Sequence, residues 1–323
     1  MSNFIKQNVT YHLIDEGSVG QKIDNFLIKH LKSIPKSHIY KLLRSGQVRV
    51  NKKRVKTDFK LSQGDKVRIP PVNLQPTKPK SSLLISKDLS NIILKNILYE
   101  DDYVLVINKP SGIAVHGGSG LNFGVIELIR ALRPKYRFLE LIHRIDKETS
   151  GILLIAKKRS ALVNVHQQMR EKRVHKKYQV AVNGLWTDKQ KIVDLELLKT
   201  TAADGQKMIR VLEGNYKNVL SKDSRSVFFL KKNFGKYSLL DVKLITGRTH
   251  QIRVHLAHLG FPVIGDQKYG DFVLNKLLQK KGLKRMFLHA YEYRFIHPGT
   301  QEEIVFKAPL PEELKNFIFI NEK

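Results

Sequence analysis

Proline places the strongest constraint on this chain. Pro70, Pro71, Pro76 and Pro79 fall close together in the segment PPVNLQPTKPKSS. Each fixes its own φ and lacks an amide donor, so the segment cannot run as a helix or a central strand. It reads as an extended linker, 76–92, between a small first domain, 1–75, and a larger second one, 93–323. A chain of 323 residues is long enough for two cores. Charge changes across the same border. Residues 1–80 hold 17 Lys and Arg against 5 Asp and Glu, while the other 243 hold 41 against 24. The formal net charge is +29. That excess costs self-repulsion, which a polyanion relieves, so nucleic acid is the first expected partner and an anionic membrane surface the second.

Several classes drop out. The chain has no cysteine, hence no disulfide, no Cys-ligated metal and no thiol nucleophile. The opening residues lack an uninterrupted apolar run of the kind a signal peptide needs, and no apolar run approaches the roughly 18 residues of a membrane span. A cytoplasmic protein with no membrane association is expected.

In the first domain, Phe26, Leu27 and Leu31 share a helical face. Ser37 is placed to cap a second helix carrying Ile39, Leu42 and Leu43, which stops at Gly46. Val48 and Val50 alternate with polar neighbours as a strand, Asn51-Lys52 reads as a tight turn, Val55 begins a return strand, and Lys66–Ile69 forms a last strand after the turn Gln63-Gly64-Asp65. This packing leaves Lys36, Lys41, Arg44, Arg49, Lys52, Lys53 and Arg54 outside. The runs KIDNFLIKHLKSIPKSHIYKLLRSGQVRVNKKRVK and LSQGDKVRI resemble an S4 RNA-binding domain, a small αβ module. The resemblance implies that these seven basic residues grip structured RNA.

In the second domain, 97–108 reads as strand, turn, strand. Gly117–Gly120 makes a loop, 125–132 and 160–171 are helices, and GILLIA at 151–156 is a buried strand. YQVAVN at 178–183 alternates as a half-buried strand, and further strands are expected at 226–230, 238–245 and 303–307. Strands outnumber helices and rarely alternate with them, so the expected class is α+β with a largely antiparallel sheet.

Two polar clusters carry the chemistry. Leu141–Gly151 (LIHRIDKETSG) sets Asp146 in a loop just before a buried strand, where ligands tend to bind, although from the residues alone a structural role for Asp146 is the favoured reading. Thr246–His255 (TGRTHQIRVH), continuing to GDQKYG at 265–270, packs several hydrogen-bonding side chains together. His250, His255 and His258 invite a metal, but the HExxH spacing and an acidic third ligand are missing.

Together, LIHRIDKETSGILLIAKK, NKPSGIAVH, KKYQVAVNG and GRTHQIRVHLAHLGFPVIGDQKYG resemble, in order, the motifs of the RluA-type pseudouridine synthases. The closest likeness is to the subgroup that carries an N-terminal S4 domain and modifies several uridines of 23S ribosomal RNA. The resemblance implies a catalytic domain built on a central, largely antiparallel mixed β-sheet flanked by helices and loops. It implies isomerisation of uridine on a flipped base, with the N1–C1′ bond broken and C5–C1′ formed. Asp146 matches the catalytic aspartate, acting on ribose or ring; Arg253 the arginine that pairs with it, which a guanidinium can do through two parallel bonds; and Tyr178 the tyrosine beneath the base. Arg144 matches the residue that takes the place of the flipped base, while Ile252 or Ile245 is a candidate to face Tyr178. His143, Thr149 and Ser150 would support the loop. No cofactor and no metal are implied. The partner is large-subunit ribosomal RNA or an assembly intermediate, met as a monomer. Two alternatives remain: the same chemistry on a different rRNA helix, or a non-catalytic S4-containing ribosome assembly factor.

Overall fold

The computed structural model describes residues 8–31, 34–72, 87–117, 123–201, 205–212 and 220–322. The chain forms two compact units, Met1–Lys87 and Asp88–Lys323.

The first unit contains β1 (Thr10–Leu13), α1 (Ile23–His30), α2 (Lys36–Arg44), β2 (Arg49–Val50) and β3 (Lys66–Ile69). Its antiparallel sheet has the order β1-β3-β2. Ile23, Phe26 and Leu27 of α1 pack with Ile39, Leu42 and Leu43 of α2 against Val48, Val50, Val67 and Ile69. Asn51 and Lys52 both take positive φ, as a tight two-residue turn requires. Two expectations need correction. Helix α2 begins at Lys36 behind Pro35, so Ser37 lies inside its first turn and caps nothing. No return strand starts at Val55, because β3 is the strand that pairs with β2. All seven basic residues expected on the surface are exposed.

The second unit opens with α3 (Lys87–Lys95), which corrects the extended reading of 87–92: Ile93 is fully buried, and the prolines that argued against helix end at Pro79. Residues 76–86 and 118–120, read as linker and loop, lie outside the described residues. There follow β4 (Ile97–Glu100), β5 (Val104–Lys109), α4 (Val125–Leu132), β6 (Glu140–Leu141), β7 (Ser150–Ala156), α5 (Arg159–Arg170), β8 (His175–Asn183), β9 (Gln190–Thr201), β10 (Lys207–Val211), β11 (Lys222–Phe234), β12 (Tyr237–Leu244), α6 (Gln251–His258), α7 (Phe272–Lys280), β13 (Leu288–Ile296), β14 (Glu303–Lys307) and α8 (Glu312–Asn321). The strands form one sheet of order β10-β9-β11-β12-β8-β13-β7-β5-β4, with β14 on β13 and β6 on β7. Every pairing is antiparallel except β13 with β7, so the fold is α+β with a largely antiparallel mixed sheet. Strand β8 is buried on both faces from Tyr178 to Val182, not half-buried, because it lies between β12 and β13 in mid-sheet.

The register decides where the chemistry sits. Val242, Tyr178, Ala290, Gly151 and Lys109 follow one another across five strands in a single row. That row places Tyr178 two strands from the point where the Asp146 loop enters β7. Gly151 takes φ +108, and a Cβ there would meet the Ala290 carbonyl oxygen at 2.2 Å. Only glycine lets β7 and β13 close at this point. Gly151→Ala is expected to lower stability by on the order of 3 kcal/mol, from backbone strain plus forced strand separation. A urea-denaturation midpoint equal to that of the parent would show that the row tolerates a side chain there.

Candidate active site

Asp146 lies in the loop from β6 to β7, and both ends of that loop are held. His143 Nε2 accepts the Leu154 amide at 3.2 Å, and its ring stacks on Tyr293 at 4.7 Å. Burial pushes the imidazole down to about 3, so it accepts as a neutral ring. At the far end, Ser150 Oγ meets His289 Nδ1 at 2.8 Å and accepts from Arg285 at 2.6 Å, while Thr149 is buried. Lys109, fully buried, donates to the carbonyls of Pro110, Ile113 and Lys147 at 2.7, 2.8 and 3.0 Å. The ammonium therefore clamps the residue next to Asp146 to the NKPSG turn. Burial pushes it down to about 7.

Helix α6 brings the opposing charge. Its start is fixed by the buried Gln251, which accepts from Thr246 Oγ1 and the Arg248 amide and donates to Arg225 O and Ser226 Oγ. One residue beyond Ile252, Arg253 Nη1 donates to Asp146 Oδ2 at 3.0 Å. Its two parallel bonds go elsewhere: Nε and Nη2 each reach an oxygen of Asp266 at 2.7 Å. The paired fork expected on Asp146 thus belongs to Asp266, whose side chain is wholly buried and fixed by the amides of Lys268 and Tyr269. Gly265 makes this turn possible: with φ +77, a Cβ would sit 2.1 Å from the Arg285 carbonyl oxygen. Tyr269 also lies under the guanidinium, 5.0 Å from its centre. The two carboxylates raise the guanidinium above its ordinary value against the cost of burial.

Arg144, Asp146, Tyr178, Ile252 and Arg253 line one open cleft, with Leu244, Arg248, His250 and Leu288 among its other walls. Ile245 does not line it; Leu244, the last residue of β12, does. Burial, then the Asp146 charge, pushes the Tyr178 phenol up, so it stays protonated. Arg144 is exposed at the rim. The structure therefore brings together the four catalytic-domain residues expected from sequence. The seven basic residues of the first unit are each exposed, and Arg49 and Lys52 share a groove with Tyr11, Lys66 and Arg68.

Three residues of the site had no role assigned from sequence. Asp266 and Tyr269 stand in GDQKYG; a buried arginine needs a buried acid, and Asp266 is the acid nearest to α6 in the chain. His250 reads from the sequence only as a candidate metal ligand. It takes φ +55 at the start of α6, with Nε2 3.9 Å from Asp146 Oδ2. Among the described residues, no group of three or more His, Asp or Glu is placed to hold a metal.

Residues 103–258 match the RNA pseudouridylate synthase family and residues 21–67 match the S4 domain. The ribosomal large subunit pseudouridine synthase C of Haemophilus influenzae is 49% identical over 313 residues, covering 96% of this chain and 94% of that protein. The protein of the same name from Escherichia coli is 48% identical over 306 residues, covering 94% and 93%. The chain belongs to the RNA pseudouridylate synthase family. The solved structure of human RNA pseudouridylate synthase domain containing 4 overlays with a TM-score of 0.56 at 25% identity, over 70% of this chain and 92% of that one.

Within this pseudouridylate synthase site, Asp266 is expected to act through Arg253. Asp266→Asn would point an amide N–H at the buried guanidinium and remove its main counter-charge. Breaking a buried pair costs on the order of 3–5 kcal/mol. The midpoint of chemical denaturation should fall accordingly, and turnover should drop while RNA affinity holds. Wild-type turnover in a folded Asp266→Asn protein would show that Arg253 needs no such anchor.

Proposed function

We propose that this protein isomerises specific uridines of large-subunit (23S) ribosomal RNA to pseudouridine, at several sites, with Asp146, Arg253 and Tyr178 as its catalytic group. The observation that carries the reading is the 3.0 Å contact of Asp146 with Arg253 in a cleft walled by Tyr178 and Arg144. It supports the reading because relatives named ribosomal large subunit pseudouridine synthase C match nearly the full length.

The chemistry follows from the cleft. A uridine inside an RNA helix cannot reach Asp146 until it leaves the stack, at a cost of a few kcal/mol. Arg144, at the rim, takes the vacated place. The flipped ring lies on Tyr178, with Leu244, Ile252 and Leu288 as the apolar surfaces available to its edges. Asp146 then meets the departing N1–C1′ bond, either by covalent addition or by stabilising charge as the bond breaks. The freed uracil stays in the cleft, turns so that C5 faces C1′, and bonds there; C5 loses its proton and N1 gains one. Atoms and electrons balance without oxidant, reductant or cofactor. Arg253 keeps the carboxylate placed throughout, since its own position is set by Asp266.

Residues 1–75 serve as the RNA-gripping S4 module and 93–323 as the catalytic domain. Lys36, Lys41, Arg44, Arg49, Lys52, Lys53 and Arg54 contact phosphates. Their exposure and the formal charge of +29 support this assignment. The protein works as a monomer in the cytoplasm. No helix among the described residues is long and apolar enough to cross a membrane.

Asp146→Asn tests the reading. The amide is nearly isosteric but is neither an anion nor a nucleophile, so tritium release from C5-labelled uridine in 23S rRNA should vanish while RNA affinity stays within about threefold. Turnover near that of the parent would remove Asp146 from the mechanism. A parent protein that binds this RNA yet releases no tritium would favour an assembly factor instead.

A further inference from the structure

The ion pair and the stacking tyrosine leave one wall of the cleft unused. His250 lines it, at the start of α6, in a left-handed conformation that only a few per cent of non-glycine residues adopt. Such strain persists where the surroundings enforce it and where a side chain must be aimed. Here the enforcement is visible. His250 Nδ1 meets the Tyr269 hydroxyl at 2.8 Å, and that hydroxyl already accepts the Ile209 amide at 3.0 Å. A hydroxyl oxygen can accept twice, but its proton has no other acceptor among the described residues, so the hydroxyl donates to Nδ1. A neutral imidazole that accepts at Nδ1 carries its hydrogen on Nε2. Burial keeps the ring below its ordinary value in spite of the neighbouring Asp146.

The Nε2–H faces Asp146 Oδ2 across 3.9 Å. That distance is too long for a hydrogen bond between the two, but a single oxygen atom can lie about 2.8 Å from both. The group that fits must accept from the imidazole and donate to the carboxylate, which is what a hydroxyl does. A nucleotide inside an RNA chain has its 3′ and 5′ oxygens esterified, so one ribose hydroxyl remains, the 2′.

We propose that His250, with Asp146, reads the 2′-hydroxyl of the flipped nucleotide and so selects ribose over deoxyribose at the target. This rests on the function proposed above. It makes His250 a specificity-determining residue and gives Tyr269 two tasks: its ring supports Arg253 and its hydroxyl fixes the His250 tautomer. The 2′-hydroxyl, donor and acceptor at once, is the feature by which a protein separates RNA from DNA at one position.

The test compares an rRNA fragment carrying the target uridine with the same fragment carrying 2′-deoxyuridine there. Each is titrated against a fluorescein-labelled copy bound to the full-length protein. Affinities are compared between fragments that carry the same base isomer, checked by nucleoside analysis after binding, so the ratio reports the hydroxyl. The wild type should favour the ribose fragment by about five- to tenfold, the scale of one or two neutral hydrogen bonds. His250→Ala should bring the ratio to about twofold or less, His250→Gln should restore part of it by offering an N–H, and Tyr269→Phe should fall between. Thermal melting of each variant checks its fold. A His250→Ala protein that keeps the wild-type ratio, or a wild type with no preference, overturns the assignment. Absence of tritium release by the wild type on this fragment overturns the proposed function instead, a separate result.

Discussion

The site depends on one guanidinium shared by two carboxylates. Arg253 is held along one edge by the buried Asp266 and offers its remaining amino group to Asp146 at 3.0 Å. Burying an arginine with one acid is costly, and the pair repays that cost only when geometry and further hydrogen bonds are good. Here they are: Asp266 accepts two amides of its own turn, and Tyr269 packs its ring beneath the charge. Asp146 thus gains a fixed opposite charge without having to be buried, and it stays accessible in the cleft. A carboxylate paired directly through both its oxygens would have fewer lone pairs free for a ligand.

The sheet makes that arrangement possible. Asp146 and Tyr178 lie on segments far apart in the chain, and they meet because the row through Tyr178, Ala290, Gly151 and Lys109 aligns β8, β13, β7 and β5. Lys109 then ties the row to the backbone of Lys147, beside the carboxylate. The single parallel pairing, β13 with β7, covers only Ser150 and Gly151. Asp146, in the loop just before that pairing, meets Arg253 of α6.

What the sequence disclosed follows from the range of the forces involved. The helix at 125–132 and the strand at 151–156 were legible because apolar residues repeat at helical spacing or run unbroken. Asp146, Arg253, Tyr178 and Arg144 were legible through their motifs. Strands β9, β10 and β13 were not, since their mixed apolar and charged residues acquire meaning only beside partner strands. Asp266 escaped for a related reason. Its role exists only once α6 and the following turn fold back on each other, and no local pattern announces a salt bridge thirteen residues away. Helix α3 was hidden by the prolines before it, which argued against regular structure over too long a stretch.

The central claim is that Arg253 acts on Asp146 as an ion-pair partner and not as a phosphate ligand. A double-mutant cycle of Arg253→Ala with Asp146→Asn, read by urea denaturation and by RNA affinity, addresses it directly. The account requires the two changes to be non-additive in stability by about 1–3 kcal/mol, the range for residues in contact, with little effect on the salt dependence of RNA binding. Additivity within about 0.5 kcal/mol, together with a shallower salt dependence for Arg253→Ala, would mean that the arginine serves the RNA backbone and that the pairing is incidental.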